Sequence, residues 1–196
     1  MVLALFDFDG TISFRDSFGD FIRFVVGPWR FWCGVVCLIP VITAFIFGIV
    51  KAWRAKELMA IYFFRGWNAK EFKQLAYNYS LQRLPRIVRP IALERIWEHK
   101  RRGDTVVVVT ASIDLWLRGW CEAQGIDLIA TRLQIRDGRI TGRFLTKNCS
   151  GREKVRRIKE QYDLSVFDRI YAYGDNPADR PMLELAHERY YRWQRV

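Results

Sequence analysis

A chain of 196 residues can bury one core with a small insert, and its 51% apolar and 27% charged residues exclude a disordered or fibrous protein. Its 32 Lys and Arg against 21 Asp and Glu give a net charge of +11, which favours an anionic partner, either a nucleic acid or a lipid surface. Two histidines, His99 and His187, and four cysteines without paired spacing exclude a multi-histidine metal centre, a cysteine zinc site and a disulfide scaffold.

The N-terminal MVLALFDFDG has no basic segment before its apolar run, so it does not read as a signal peptide, and a cytoplasmic location is expected. Val2 to Phe6 is a short continuous apolar run, as in a strand buried on both faces of a parallel sheet. Phe31 to Val50 follows, twenty residues without a charge. Asn68 is placed to cap a helix whose apolar positions Phe72, Leu75, Ala76 and Tyr79 keep helical spacing. Pro90 opens another helix at a tolerated first-turn position. Thr105 to Val109 is a second buried strand, and Leu133 to Leu145 is a hairpin turning at Asp137-Gly138. Ser150 and Glu153 have capping-box spacing for a helix to about Tyr162, and Arg169 to Tyr173 is a third strand. The alternation predicts an α/β fold with a parallel sheet. Nearly a hundred residues separate the first two strands, too many for one crossover helix. Residues 15–85 are therefore expected to form an inserted helical cap, with residues 1–14 and 86–196 forming the core.

Each predicted strand runs into polar residues: Asp7, Thr110 and Gly174-Asp175. Ligands bind at the carboxyl ends of such strands. Asp7, Asp9, Thr110, Asp175 and Asp179 should therefore meet in one crevice, where the carboxylates need a cation. Oxygen ligands without histidine suit Mg²⁺.

In its motifs the chain resembles the haloacid dehalogenase (HAD) superfamily. Asp7-Phe8-Asp9-Gly10-Thr11 matches the first motif, Thr110 the second, Lys154 the third, and Gly174-Asp175 with Asp179 the fourth. The resemblance implies a three-layer Rossmann-like core and Mg²⁺-dependent hydrolysis of phosphate esters. Asp7 would be the nucleophile, and Asp9 the general acid and base. Asp7, the Asp9 backbone carbonyl and Asp175 would hold the metal, with Asp179 orienting the metal ligands or Lys154. Gly10, Thr11, Thr110, Ala111 and Lys154 would receive the phosphate. Ser112 reads equally as a phosphate contact or a helix cap.

The uncharged stretch has the length of a bilayer-spanning helix, but one crossing would separate Asp7 from Thr110, Lys154 and Asp175. Pro40 interrupts it, Arg23, Arg30, Lys51, Arg54 and Lys56 flank it, and Trp29, Trp32 and Trp53 stand near its ends. A re-entrant or interfacial segment over residues 31–50 is expected; the alternative is a cap helix buried in protein. An inserted cap after the first motif is similar to phosphoserine-phosphatase-type members. The following Asp16-Ser17-Phe18-Gly19 and the apolar cap are similar to the phosphatidylglycerophosphatase C group of bacterial inner-membrane enzymes. That resemblance implies dephosphorylation of phosphatidylglycerophosphate to phosphatidylglycerol. An anionic phospholipid membrane would be the partner, at the cytoplasmic face of the inner membrane, and no nucleic acid. The alternatives are a phosphatase for a soluble metabolite such as phosphoserine or histidinol phosphate, and a non-catalytic membrane adaptor. Arg15, Asp16 and Arg54 are the substrate-contact candidates.

Overall fold

The computed structural model describes all 196 residues. In chain order the elements are β1 (Val2–Phe6), α1 (Ser17–Cys37), α2 (Ile39–Ile46), α3 (Ala52–Phe64), α4 (Ala69–Gln82), α5 (Pro90–Arg101) and β2 (Thr105–Ile113). There follow α6 (Asp114–Gln124), β3 (Asp127–Thr131), β4 (Leu133–Arg136), β5 (Arg139–Phe144) and α7 (Arg152–Gln161). The chain ends with β6 (Arg169–Gly174), α8 (Arg180–Leu183), β7 (Glu188–Tyr191) and β8 (Gln194–Arg195).

Six strands form one sheet in the order β3-β2-β1-β6-β7-β8, parallel except for β8. Successive side chains of a strand point to opposite faces, so β1 divides between two cores. Ala4 and Phe6 pack with α5 and α6, whereas Leu3 and Leu5 pack with Ile158 of α7 and Met182 of α8. This is the expected three-layer arrangement. The three predicted strands are present, and β2 runs four residues further than Val109. Strands β3, β7 and β8 and helix α6 were not anticipated.

Local signals hold in part. Asn68 Oδ1 accepts from the backbone N–H groups of Lys70 and Glu71, and Pro90 opens α5. The hairpin turns at Asp137 and Gly138, both with positive φ, as a two-residue hairpin turn requires. The predicted Ser150–Glu153 capping box does not form. Gly151 at φ 59° stands between Ser150 and the helix, which begins at Arg152 without a side-chain cap.

Between β1 and α5 the chain builds the cap. Phe21 of α1 stacks on Trp116 of α6 at 4.6 Å between ring centroids and packs edge-on against Phe72 and Tyr79 of α4. The cap and one face of the sheet thus share a continuous aromatic core. Hairpin β4–β5 lies outside the main sheet and packs on α3. There Gly142 (φ +77°) sits so close that a Cβ would lie 2.4 Å from Ile61 Cα.

The uncharged stretch forms an outward arm. Helix α1 kinks at Gly27 (φ 79°, ψ 163°), restarts at Pro28, and then bends by 59° at Leu38 into α2. The stretch breaks beside Pro40, as expected. Pro40 occupies the first turn of α2, where a missing N–H costs nothing. The chain reverses after Ile46, and α3 returns against α1, with Phe63 so near Gly34 that a Cβ there would lie 2.3 Å from its ring. No residue of α2 is buried, so the stretch is not a helix packed inside the core. Trp29, Trp32, Val36, Ile39, Ile46, Phe47 and Ile49 are all exposed. No single helix is long and apolar enough to cross a membrane; α1 and α2 reach that length and hydropathy only together, across the bend.

Candidate active site

Strand β1 lies between β2 and β6, so the loops after these three neighbours converge at their carboxyl ends. Asp7 extends the ladder, its N–H donating to the Tyr173 carbonyl at 2.9 Å. The chain then turns sharply. Gly10 takes φ +89° directly beneath the β6 loop, and a Cβ there would lie 2.3 Å from Asp175 Oδ2. Only glycine fits this crossing. Thr11 Oγ1 donates to Asp175 Oδ1 at 3.0 Å, joining the first and fourth motifs.

Lys154 reaches in from α7. Its Nζ donates to Asp7 Oδ1 at 2.5 Å and Asp179 Oδ1 at 2.7 Å, and all three side chains are nearly closed to solvent. The second Asp179 oxygen accepts from the N–H groups of Asp175 and Asn176 and so fixes the β6 loop. Burial pushes the Asp7 carboxyl up to about 7, although Lys154 pulls it down. Burial also disfavours the charge on Lys154, but Asp7 and Asp179 more than offset this and hold it above the usual lysine range.

Asp9 belongs to a different network. Its Oδ1 accepts from the Ser17 N–H at 2.7 Å and its Oδ2 from Ser112 Oγ at 2.6 Å. The hydroxyls of Ser17 and Ser112 are themselves 2.8 Å apart. Burial raises the Asp9 carboxyl, and Asp16 raises it further. Ser112 therefore neither caps α6, which has no side-chain cap, nor is required to meet phosphate directly: its partner is Asp9.

Carboxylate oxygens of Asp7, Asp175 and Asp179 lie within 4.8 Å of one another. Three acids facing one lysine leave negative charge to spare, and hard oxygen donors at this spacing fit a divalent cation such as Mg²⁺. The Asp9 side chain is turned toward Ser112 and Ser17 and is not one of these three.

A cleft of about 360 Å³ opens over these groups, lined by Asp7, Asp9, Thr110, Ala111, Lys154 and Asp179 from the core. Asp16, Ala52, Trp53 and Lys56 of the cap form the opposing wall. Trp53, Lys56, Asn148, Ser150 and Asn176 were not expected at the cleft: the sequence marks Trp53 and Lys56 as flanks of the apolar stretch and Ser150 as a helix cap. Two substrate candidates fall elsewhere. Arg15 points away into a separate cleft, and Arg54 pairs with Glu57 on the cap surface. Lys147 and Lys159, which share the basic character of Lys154, are exposed.

Comparisons with known proteins agree with this geometry. The protein CicA of Caulobacter vibrioides is 36% identical over 200 residues, covering 97% of this chain and 86% of that protein. A Bordetella pertussis Tohama I protein of unknown function shares the fold at TM-score 0.84 and 24% identity, over 97% of this chain and 89% of that one. A phosphoserine phosphatase solved as a phospho-aspartyl intermediate analogue follows at TM-score 0.67 and 20% identity, over 96% and 85%. The haloacid dehalogenase-like hydrolase family matches residues 4–184, nearly the whole length. With the four motifs assembled around one cleft, the chain belongs to the haloacid dehalogenase-like hydrolase family.

Proposed function

We propose that this protein is a Mg²⁺-dependent phosphomonoesterase acting at a membrane surface, with a lipid phosphate as substrate and phosphatidylglycerophosphate as the specific candidate. Asp7 attacks phosphorus to form an aspartyl-phosphate, and the bond to the leaving alcohol breaks. Asp9, whose burial favours the protonated form, gives its proton to that alcohol and then takes one from the water that releases phosphate. Lys154 and the hydroxyl of Thr110 hold the phosphoryl oxygens, and Ser112 with the Ser17 N–H keeps the Asp9 carboxyl aimed. A Mg²⁺ held by Asp7, Asp175 and the Asp9 carbonyl would offset repulsion between the nucleophile and the phosphate.

One observation carries the lipid reading. The cap wall of the cleft, Ala52, Trp53 and Lys56, begins immediately after the exposed apolar turn at Ile46, Phe47 and Ile49. With that turn in the acyl boundary and the surrounding Lys and Arg at an anionic leaflet, the cleft would open toward lipid head groups. The cytoplasmic face of the inner membrane is the location this reading implies. A second reading rests on Asp16, which faces the cleft where it could receive a substrate amine. It makes the protein a phosphatase for a soluble metabolite such as phosphoserine, in keeping with the shared fold. The deciding experiment is Mg²⁺-dependent phosphate release from phosphatidylglycerophosphate and from phosphoserine by full-length protein, with Asp7→Asn as control. Preference for the lipid supports the first reading, and preference for phosphoserine replaces it with the second.

A further inference from the structure

A second cleft, of about 560 Å³, is lined by Arg15, Asp20, Arg23, Phe24, Pro28, Gln82, Arg83 and Arg86. Its one acid is already committed. Asp20 accepts from Arg83 through both Nε and Nη2 and from the Tyr79 hydroxyl at 3.0 Å. Arg83 and Asp20 therefore neutralise each other. Arg15, Arg23 and Arg86 have no carboxylate partner, so three guanidinium groups face one concavity without compensation. Uncompensated charges of one sign in a cleft raise the local concentration of the opposite ion, and guanidinium groups suit phosphate oxygens in fork geometry.

Position adds to this. Arg15 faces the arginine cleft and the next residue, Asp16, faces the catalytic one, so a single peptide link forms the rim between them. Phe24 and Pro28 of the lining belong to the root of the exposed arm. A phosphate group in the arginine cleft would thus share the Arg15–Asp16 rim with the catalytic cleft and lie at the base of the apolar arm.

We propose that the cleft formed by Arg15, Arg23, Arg83 and Arg86 is a second anion-binding site that takes a phosphate ester group. The group has two sources, a second phosphate on the substrate itself or the head group of a neighbouring lipid. The site stands whichever substrate reading holds.

The test compares the full-length protein with an Arg23→Gln/Arg86→Gln double variant. An Arg101→Gln/Lys159→Gln double variant removes the same charge from exposed positions elsewhere. One arm measures steady-state hydrolysis of an aryl phosphate and of a water-soluble glycerol derivative bearing one phosphomonoester and one phosphodiester. The other measures sedimentation with phosphatidylcholine vesicles with and without phosphatidylglycerol. If the substrate supplies the group, KM for the two-phosphate compound rises about tenfold in the cleft variant alone, with aryl phosphate turnover unchanged. If a neighbouring lipid supplies it, KM stays and the preference for phosphatidylglycerol vesicles falls about tenfold in the cleft variant alone. No change in either arm, or equal losses in both variants, overturns the proposal. An unmodified protein inert on aryl phosphate would instead count against the phosphatase reading, and the vesicle arm would still decide the cleft.

Discussion

Lys154 Nζ lies 2.5 Å from Asp7 Oδ1, and the same ammonium reaches Asp179 at 2.7 Å. The third motif thereby ties Asp7, the proposed nucleophile, to the loop after β6 through one buried cation. Removing that cation leaves two enclosed carboxylates facing each other. Lys154→Met is expected to lower stability by about 3–5 kcal/mol in metal-free buffer at neutral pH. It should also reduce turnover by roughly a thousandfold, as loss of a preorganised charge at transferring phosphate does. Urea denaturation and phosphate release measure the two effects, and an unchanged denaturation midpoint would show that the pair carries little stability.

Burial raises the Asp7 carboxyl from 3.8 to about 7, and this has a definite sign. Between those values the folded protein holds more protons than the unfolded chain, so the Asp7 contribution is full at low pH and is lost as pH climbs to about 7. Asp7→Asn removes this dependence. The variant's stability relative to the parent should rise by up to about 1.4 kcal/mol per pH unit across that window and level off above it. Buried His99, whose pKa is lowered chiefly by burial, acts in the opposite sense but is common to both proteins and cancels. A pH-independent difference in metal-free denaturation would rule this out.

Gly10 passes beneath Asp175 with no room for a methyl group. Gly10→Ala should therefore displace the Asp175 carboxylate and cost about 1–3 kcal/mol from its strained φ as well. Mg²⁺ at a hundred times its Kd should stabilise the parent by about 2.7 kcal/mol, seen as a higher Tm, and should stabilise the variant far less. Equal metal-induced shifts would mean that Asp175 is not a ligand.

Ser112 Oγ is 2.6 Å from Asp9 Oδ2. Ser112→Ala is expected to lower kcat about ten- to a hundredfold through a misaimed acid while leaving KM near that of the parent. A rise in KM with kcat preserved would place Ser112 on the phosphate instead.

The exposed turn offers Phe47 and Ile49, which are 76% and 78% accessible. Phe47→Ser/Ile49→Ser should weaken vesicle association by tenfold or more, given about 1.5–3 kcal/mol for each apolar side chain transferred from water. Hydrolysis of a soluble aryl phosphate should not change. Vesicle flotation of both proteins settles it, and undiminished association would assign the turn another partner.

How much of this was legible in the sequence follows from where the information resides. Strand β1 was readable because both its faces are buried and its five residues are all apolar. Strand β7, Glu188–Tyr191, lies near the sheet edge and carries Glu and Arg, so its pattern disappears among polar residues. Asp7, Asp9 and Asp175 were legible because strand ends mark them. Trp53 and Lys56 reach the cleft only through the return of α3 after the reversal that follows Ile46. Arg15 and Asp16 show the limit most plainly, since adjacent residues face different clefts and spacing cannot separate them.

The contact between Gly142 and Ile61 has a mechanical consequence. A hairpin that follows β3 in the chain is clamped to a helix of the cap, Gly142 meeting Ile61 far earlier in the sequence. Close packing makes α3 and the hairpin one rigid unit. From Phe144 the chain runs through Asn148 and Ser150, which border the cleft, to the root of the helix that carries Lys154. That run of chain thus joins the cap to the buried pair of Lys154 and Asp7.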